Sequence, residues 1–191
     1  MKYLAILFLF FTINTQAQVI PVGFVKPIDI GSSYQGGKVA YIFISTDPGY
    51  VAGETHGLIV SPANQSNGIR WFNGTNTTTG ATGTAIGTGK ANTDSIISNQ
   101  GATTTSYAAG LARAYNGGGY TDWYLPSKEE VHILCLNKTF LGITGNFGTW
   151  SSTDNDNLTA VIESFGVCRT NISAKSNSAM VLLGLFNCSA I

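Results

Sequence analysis

The residues with the clearest chemical potential lie in "WSSTDNDN", residues 150–157. Asp154, Asn155, Asp156 and Asn157 offer hard oxygen atoms of the kind calcium prefers, and on an extended segment the carboxylates of Asp154 and Asp156 would face one side. Calcium takes about six to eight oxygens, so a further carboxylate, from Asp122 or Glu163, would have to arrive from elsewhere in the fold. The spacing is not that of an EF-hand, and a solvated turn whose Asx side chains bond their own backbone accounts for the same run. The expectation is no metal and no cofactor; calcium is possible and not expected. Trp150, like Trp71 and Trp123, carries a ring that could stack on a sugar or fill a core. With Lys90, these residues form the candidate ligand contacts: Trp150, Asp154, Asn155, Asp156, Asn157 and Lys90.

Catalytic patterns are absent from the sequence. "GTAIGTGKAN" resembles a phosphate loop only in outline, because Thr84 stands where its first glycine should be and Ala91 follows Lys90 where a hydroxyl would hold magnesium. Glu129 and Glu130 are neighbours on a predicted helix and point about 100° apart, so they cannot flank one glycosidic bond. His56 and His132 have no recognisable nucleophile motif beside them. No residue is assigned a catalytic role.

Composition limits the partners. Only 10% of the 191 residues are charged, and ten Lys and Arg balance ten Asp and Glu. No long-range field would draw in nucleic acid. "MKYLAILFLFFTINTQAQ" has the positive start, apolar run and small-residue exit of a cleavable secretory signal, residues 1–17. Its apolar run is about half the ~20 residues that span a bilayer, so no span is expected in the mature chain. Residues 18–35 then read as a linker, and 36–191 as one domain of a secreted, periplasmic or cell-surface protein. Of three cysteines, Cys168 and Cys188 are placed to face each other across a hairpin as a possible disulfide, and Cys135 reads as a small buried hydrophobe.

These residues need elements to hold them. "GGKVAYIFI", "HGLIVSP" and "GIRWF" read as short strands bounded by Gly, Pro or Asn. Residues 73–92, rich in Gly and Thr and without apolar periodicity, read as a long exposed loop. Short helices are predicted over 93–99 and 106–115. In "WYLPSKEEV", Pro126 keeps Leu125 extended and Ser127 with Glu130 forms a capping box, starting a helix over about 128–136. Trp123 and Tyr124 should alternate inward and outward before it. Trp123, Leu125, Pro126, Ser127 and Glu130 are therefore structural. A Trp-bearing strand in "GTWSSTDNDN" that ends in a polar turn, and apolar strands through 158–165 and 179–186, would close the domain.

The succession "GGKVAYIF", "HGLIVSP", "AIGTGKANTDSII", "YAAGLARAY", "GGYTDWYLPSKEEV" and "TWSSTD" resembles the bacterial family named after the C-terminal domain of the Legionella collagen-like adhesin, over about residues 36–154. The resemblance implies an α+β fold of C-type-lectin-like architecture: a twisted antiparallel sheet with two or three short helices. It also implies a binding or adhesion module; the best-known member binds sulfated glycans. This chain departs from the family at its end, where "AMVLLGLF" replaces a strand with alternating arginines. The function expected is that of a secreted non-enzymatic surface or adhesion module binding glycans or another extracellular partner. The alternatives are a structural or assembly subunit, an oligomer pairing through its apolar C-terminal strand, and, further off, a secreted hydrolase.

Overall fold

The short apolar runs form strands, as their β-branched and aromatic content requires. A computed structural model describes residues 28–101, 105–181 and 184–187; the expected signal segment and residues 18–27 lie outside the described residues. Strands β1 (Ser33–Tyr34), β2 (Gly37–Ile42), β3 (Gly57–Val60) and β9 (Gly184–Asn187) form one antiparallel sheet in that order. The second sheet has the order β4 (Ser66–Ile69), β8 (Ala179–Val181), β5 (Gly148–Asp154), β6 (Thr159–Ser164), β7 (Arg169–Ala174). It is antiparallel except where β5 meets β8 in parallel, Thr149 opposite Met180. Helices α1 (Gly89–Gln100), α2 (Ala108–Ala114), α3 (Lys128–Leu136) and α4 (Lys138–Leu141) complete an α+β fold. Among the described residues no helix is long and apolar enough to cross a membrane.

Helix α3 joins the two sheets, packing on β2 of the first and on β5, β6 and β7 of the second. Its buried Val131 and Leu134 meet Phe43, Leu58, Val60 and Phe165. Each such side chain removed from water contributes about 1.5–3 kcal/mol, so tertiary burial stabilises this nine-residue helix where isolated helices of that length do not persist. A second core gathers Trp71, Ile96, Tyr107, Trp123, Leu125 and Trp150. Neither Trp123 nor Tyr124 faces outward: both are buried, Trp123 within the second core and Tyr124 outside it. The Trp123 ring meets Tyr115 edge-on at 5.2 Å and donates to the Gly117 carbonyl at 3.1 Å, while Tyr124 turns toward Glu130.

The disulfide joins Cys135 to Cys168 (Cα–Cα 5.5 Å), not Cys168 to Cys188. The reason is the placement of α3: its apolar face lies on the β6–β7 hairpin, whose turn carries Cys168 beneath the helix. Cys188 lies outside the described residues. The expected strand over 179–186 is divided as well. Its first part, β8, pairs with β4 and β5, and its second, β9, pairs with β3. Part of the supposed linker belongs to the fold, since Gly31 donates to Val39 at 2.7 Å and Val39 to Ser32 at 2.9 Å. Strand β7, "RTNISA", went unpredicted. It is a sheet edge with one paired side, its six residues half-buried or exposed and none buried, so it lacks the apolar alternation that marks a strand.

Two glycine sites are fixed by close approach. A Cβ on Gly36 would lie 2.4 Å from the Gly118 Cα, with φ of 79° and 68° at the two positions, so the turn after β1 closes directly on the 117–119 turn. A Cβ on Gly89 would come within 2.3 Å of a Glu130 oxygen. Helix α1 therefore starts at Gly89, four residues before the predicted 93, seated against the start of α3.

Candidate ligand-contact surface

Residues 73–88 lack regular structure, yet the loop is fastened along its length by three sets of hydrogen bonds. The first is the capping box of α3. Ser127 Oγ accepts from the Glu130 amide at 3.4 Å, and Glu130 Oε2 accepts from the Ser127 amide at 2.8 Å. The same groups reach the loop: Ser127 Oγ donates to the Ala85 carbonyl at 2.9 Å and Glu130 Oε1 accepts from the Gly87 amide at 2.7 Å. Burial raises the Glu130 carboxyl above its ordinary pKa of 4.5, against the opposing pull of the Ser127, Gly87 and Tyr124 hydrogen bonds. The Tyr124 hydroxyl is pushed well up by burial, and then by the neighbouring Glu130 charge.

The second set fixes the middle of the loop to β5 and α1. Asn92 bonds both ways with Gly83, accepting from its amide at 3.0 Å and donating to its carbonyl at 2.7 Å. Thr153 Oγ1 donates to the Gly83 carbonyl at 2.8 Å. The register shift between Trp150 and Asp154 lets the β5 backbone bond outside its sheet: Ser152 donates to Pro126 at 2.7 Å and Asp154 to Ala81 at 2.8 Å.

The third set centres on a buried ion pair. Lys175 Nζ lies 2.7 Å from Asp154 Oδ1, with side chains 0% and 1% exposed. Asp154 Oδ2 accepts from the Thr79 amide and hydroxyl, both at 2.8 Å. Lys175 donates to the Thr77 carbonyl at 2.8 Å and lies 4.6 Å from the centre of the Trp71 ring. Two loop residues, the end of β5 and the residue that follows β7 thus meet at one pair of charges. Removing water from both ions is costly, and their close contact together with the bonds to Thr79 and Thr77 offsets part of that cost.

The candidate contacts divide accordingly. Trp150 is wholly buried and donates to the Ile69 carbonyl at 2.8 Å; with Trp71 and Trp123 equally buried, none of the three rings offers a face to a sugar. Asp154 anchors the loop. Asn155, Asp156 and Asn157 are exposed in the β5–β6 turn. There Asp156 Oδ1 accepts from the Leu158 and Thr159 amides at 2.8 and 2.7 Å, and Asn155 donates to Thr159 Oγ1 at 2.8 Å. The two backbone amides hold the Asp156 carboxyl below its ordinary range. Lys90 is half-exposed on α1 and pairs with Asp94 at 3.3 Å, which also meets Arg113.

The oxygens considered for calcium do not converge. Asp154 faces Lys175, Asp156 closes its own turn, and Glu163 is buried with His132 Nδ1 at 3.0 Å and Thr170 Oγ1 at 2.9 Å. Among the described residues the one grouping of potential metal ligands is Cys135, Glu163 and Cys168. The disulfide occupies both sulfurs, and a metal binds thiolate rather than disulfide sulfur. His56 pairs with Glu54 at 2.7 Å.

What faces outward is a hydroxyl and amide surface. Thr75, Asn76, Thr78, Thr82 and Thr84 are exposed on the loop, and Asn155 and Asn157 on the turn beside it. The Thr79–Asp154 and Ala81–Asp154 bonds hold the two segments side by side. Sequence reasoning missed Lys175, a single cation in a polar run with no periodicity to declare it buried. In comparisons with known proteins, no family model matches the chain and no curated protein matches it.

Proposed function

We propose that this chain is a secreted, non-enzymatic surface or adhesion module of C-type-lectin-like architecture that binds glycans or another uncharged polar extracellular partner. The observation that carries the reading is the fastened 73–88 loop beside the β5–β6 turn. Hydroxyls and amides held in fixed positions bind a polyol with little ordering cost. Asp154, Lys175 and Glu130 are spent inside the fold as braces, and the exposed Asp156 carboxylate is committed to the Leu158 and Thr159 amides of its own turn.

The test is a glycan array on the mature protein, repeated with Thr78→Ala/Asn155→Ala, both positions being exposed. A saccharide bound by the wild type and lost in the variant supports the reading, and its affinity should change little with salt because no ionic cluster takes part. Binding unaffected by the double change would move the site elsewhere. The assembly reading rests on a different observation: Ile172 is 60% exposed on the edge strand β7, with Leu158 and Val167 exposed at the two ends of the same hairpin. Unpaired strand edges of this kind recruit other chains. A concentration-dependent sedimentation coefficient abolished by Ile172→Lys would favour it.

A further inference from the structure

Asp154 and Lys175 are arranged for more than an ion pair. Both side chains are out of water, at 1% and 0% exposure, and Nζ lies 2.7 Å from Oδ1. The two carboxylate oxygens differ. Oδ2 receives two donors, the amide and the hydroxyl of Thr79, both at 2.8 Å. Oδ1 is buried and has no aligned hydrogen-bond donor; its close contact with Nζ falls outside hydrogen-bond geometry. Lys175 itself is oriented by the Thr77 carbonyl at 2.8 Å and confined beside the Trp71 ring. We propose that Asp154 and Lys175 form an intramolecular amide bond, a covalent cross-link between the end of β5 and the segment that follows β7.

The step needs only groups already in place. The ammonium passes one proton to Oδ1, leaving a neutral amine and a neutral carboxyl group. The nitrogen lone pair attacks Cγ, and the electron pair of the carbon–oxygen double bond moves onto Oδ2. That developing oxyanion sits between the two Thr79 donors, the arrangement that stabilises tetrahedral intermediates in acyl transfer. A second proton then passes from nitrogen to Oδ1, the Cγ–Oδ1 bond breaks, and water leaves. Oδ2 becomes the amide carbonyl and keeps both Thr79 bonds; the remaining N–H continues to donate to Thr77. One ammonium and one carboxylate become one amide and one water, with no change of oxidation state.

Physical chemistry favours this direction inside the fold. In water the hydration of the two ions opposes condensation, but these ions have already lost that hydration on burial. The amide removes two buried charges and retains their hydrogen bonds. Holding amine and carboxyl in contact replaces a bimolecular encounter by an intramolecular one, which is worth many orders of magnitude in effective concentration.

Intact-mass measurement on the folded mature protein, with the disulfide reduced before injection, decides the matter. The expected mass is that of the sequence less one water. Trypsin should leave Lys175 uncut, since a modified lysine side chain is not recognised, and should yield a branched peptide joining the fragments that carry Asp154 and Lys175. A mixture of bridged and unbridged chains whose bridged fraction grows on incubation also supports the bond. Asp154→Ala and Lys175→Met should each show their full sequence mass, and Asp154→Asn, if it reacts, should lose ammonia instead of water. A wild-type protein at full mass and cut after Lys175 overturns the proposal, as does a water loss that persists in Asp154→Ala.

Discussion

Replacing Ser127 by alanine removes one oxygen that serves two elements. On an exposed helix, losing a serine cap costs about 1 kcal/mol. Here the side chain is fully buried, and its bond to the Glu130 amide is long, at 3.4 Å, whereas its bond to the Ala85 carbonyl is 2.9 Å. The variant also removes one of three donors to the Ala85 carbonyl, which keeps the Thr88 amide at 3.2 Å and the Thr88 hydroxyl at 2.6 Å, so this loss adds the about 0.5–1.5 kcal/mol of an ordinary hydrogen bond. The expected total is about 1.5–2.5 kcal/mol, or roughly 3–10 °C in Tm for a domain of this size. Urea unfolding of Ser127→Ala should show a lower midpoint with an unchanged slope, because the surface exposed on unfolding is the same. A double-mutant cycle with Glu130→Ala should show strong coupling, since the two side chains share the cap and both hold the 85–87 segment. A loss below about 0.5 kcal/mol, the range of ordinary surface substitutions, would refute the claim that this serine fastens the loop. Additivity with Glu130→Ala would refute the shared network.

Three further outcomes are expected. Opening the Cys135–Cys168 bridge, by reductant or by Cys168→Ala, should cost roughly 3–4 kcal/mol on the chain-entropy account for a separation of 33 residues, read as a lower unfolding midpoint; an unchanged midpoint would count against the bridge. Because burial raises the folded-state pKa of Glu130, its contribution to stability is fully present below the ordinary value of 4.5 and is lost as pH rises through the raised value. The Tm advantage of wild type over Glu130→Gln should therefore shrink from about pH 4 toward pH 8, and a gap that widens would reverse the assignment. Calcium at about 1 mM, the weak end of extracellular sites, should leave Tm unmoved; a rise that vanishes in Asp156→Ala would show that the turn binds the ion.

Legibility in the sequence followed local coding. The capping box could be read because both partners lie within four residues, and the strands in Gly37–Ile42 and Gly57–Val60 because apolar runs ended at turn residues. What could not be read depended on contacts between distant segments. Residues 73–88 have the composition of a free loop, and nothing local says that Thr79, Gly83 and Ala85 meet Asp154, Thr153 and Ser127. The cysteine pairing failed for the same reason, since it depends on which hairpin lies under α3. Asp154 is the most instructive case. Its neighbours Asn155, Asp156 and Asn157 do behave as the exposed turn their types suggest, so the sequence pattern extends one residue too far inward. Strand β5 ends at Asp154, and there a cation 21 positions away in sequence, Lys175, turns a potential ligand into an anchor. The chemistry of the polar run is consequently split, with its first carboxylate securing the loop and the residues after it left to meet whatever approaches from outside.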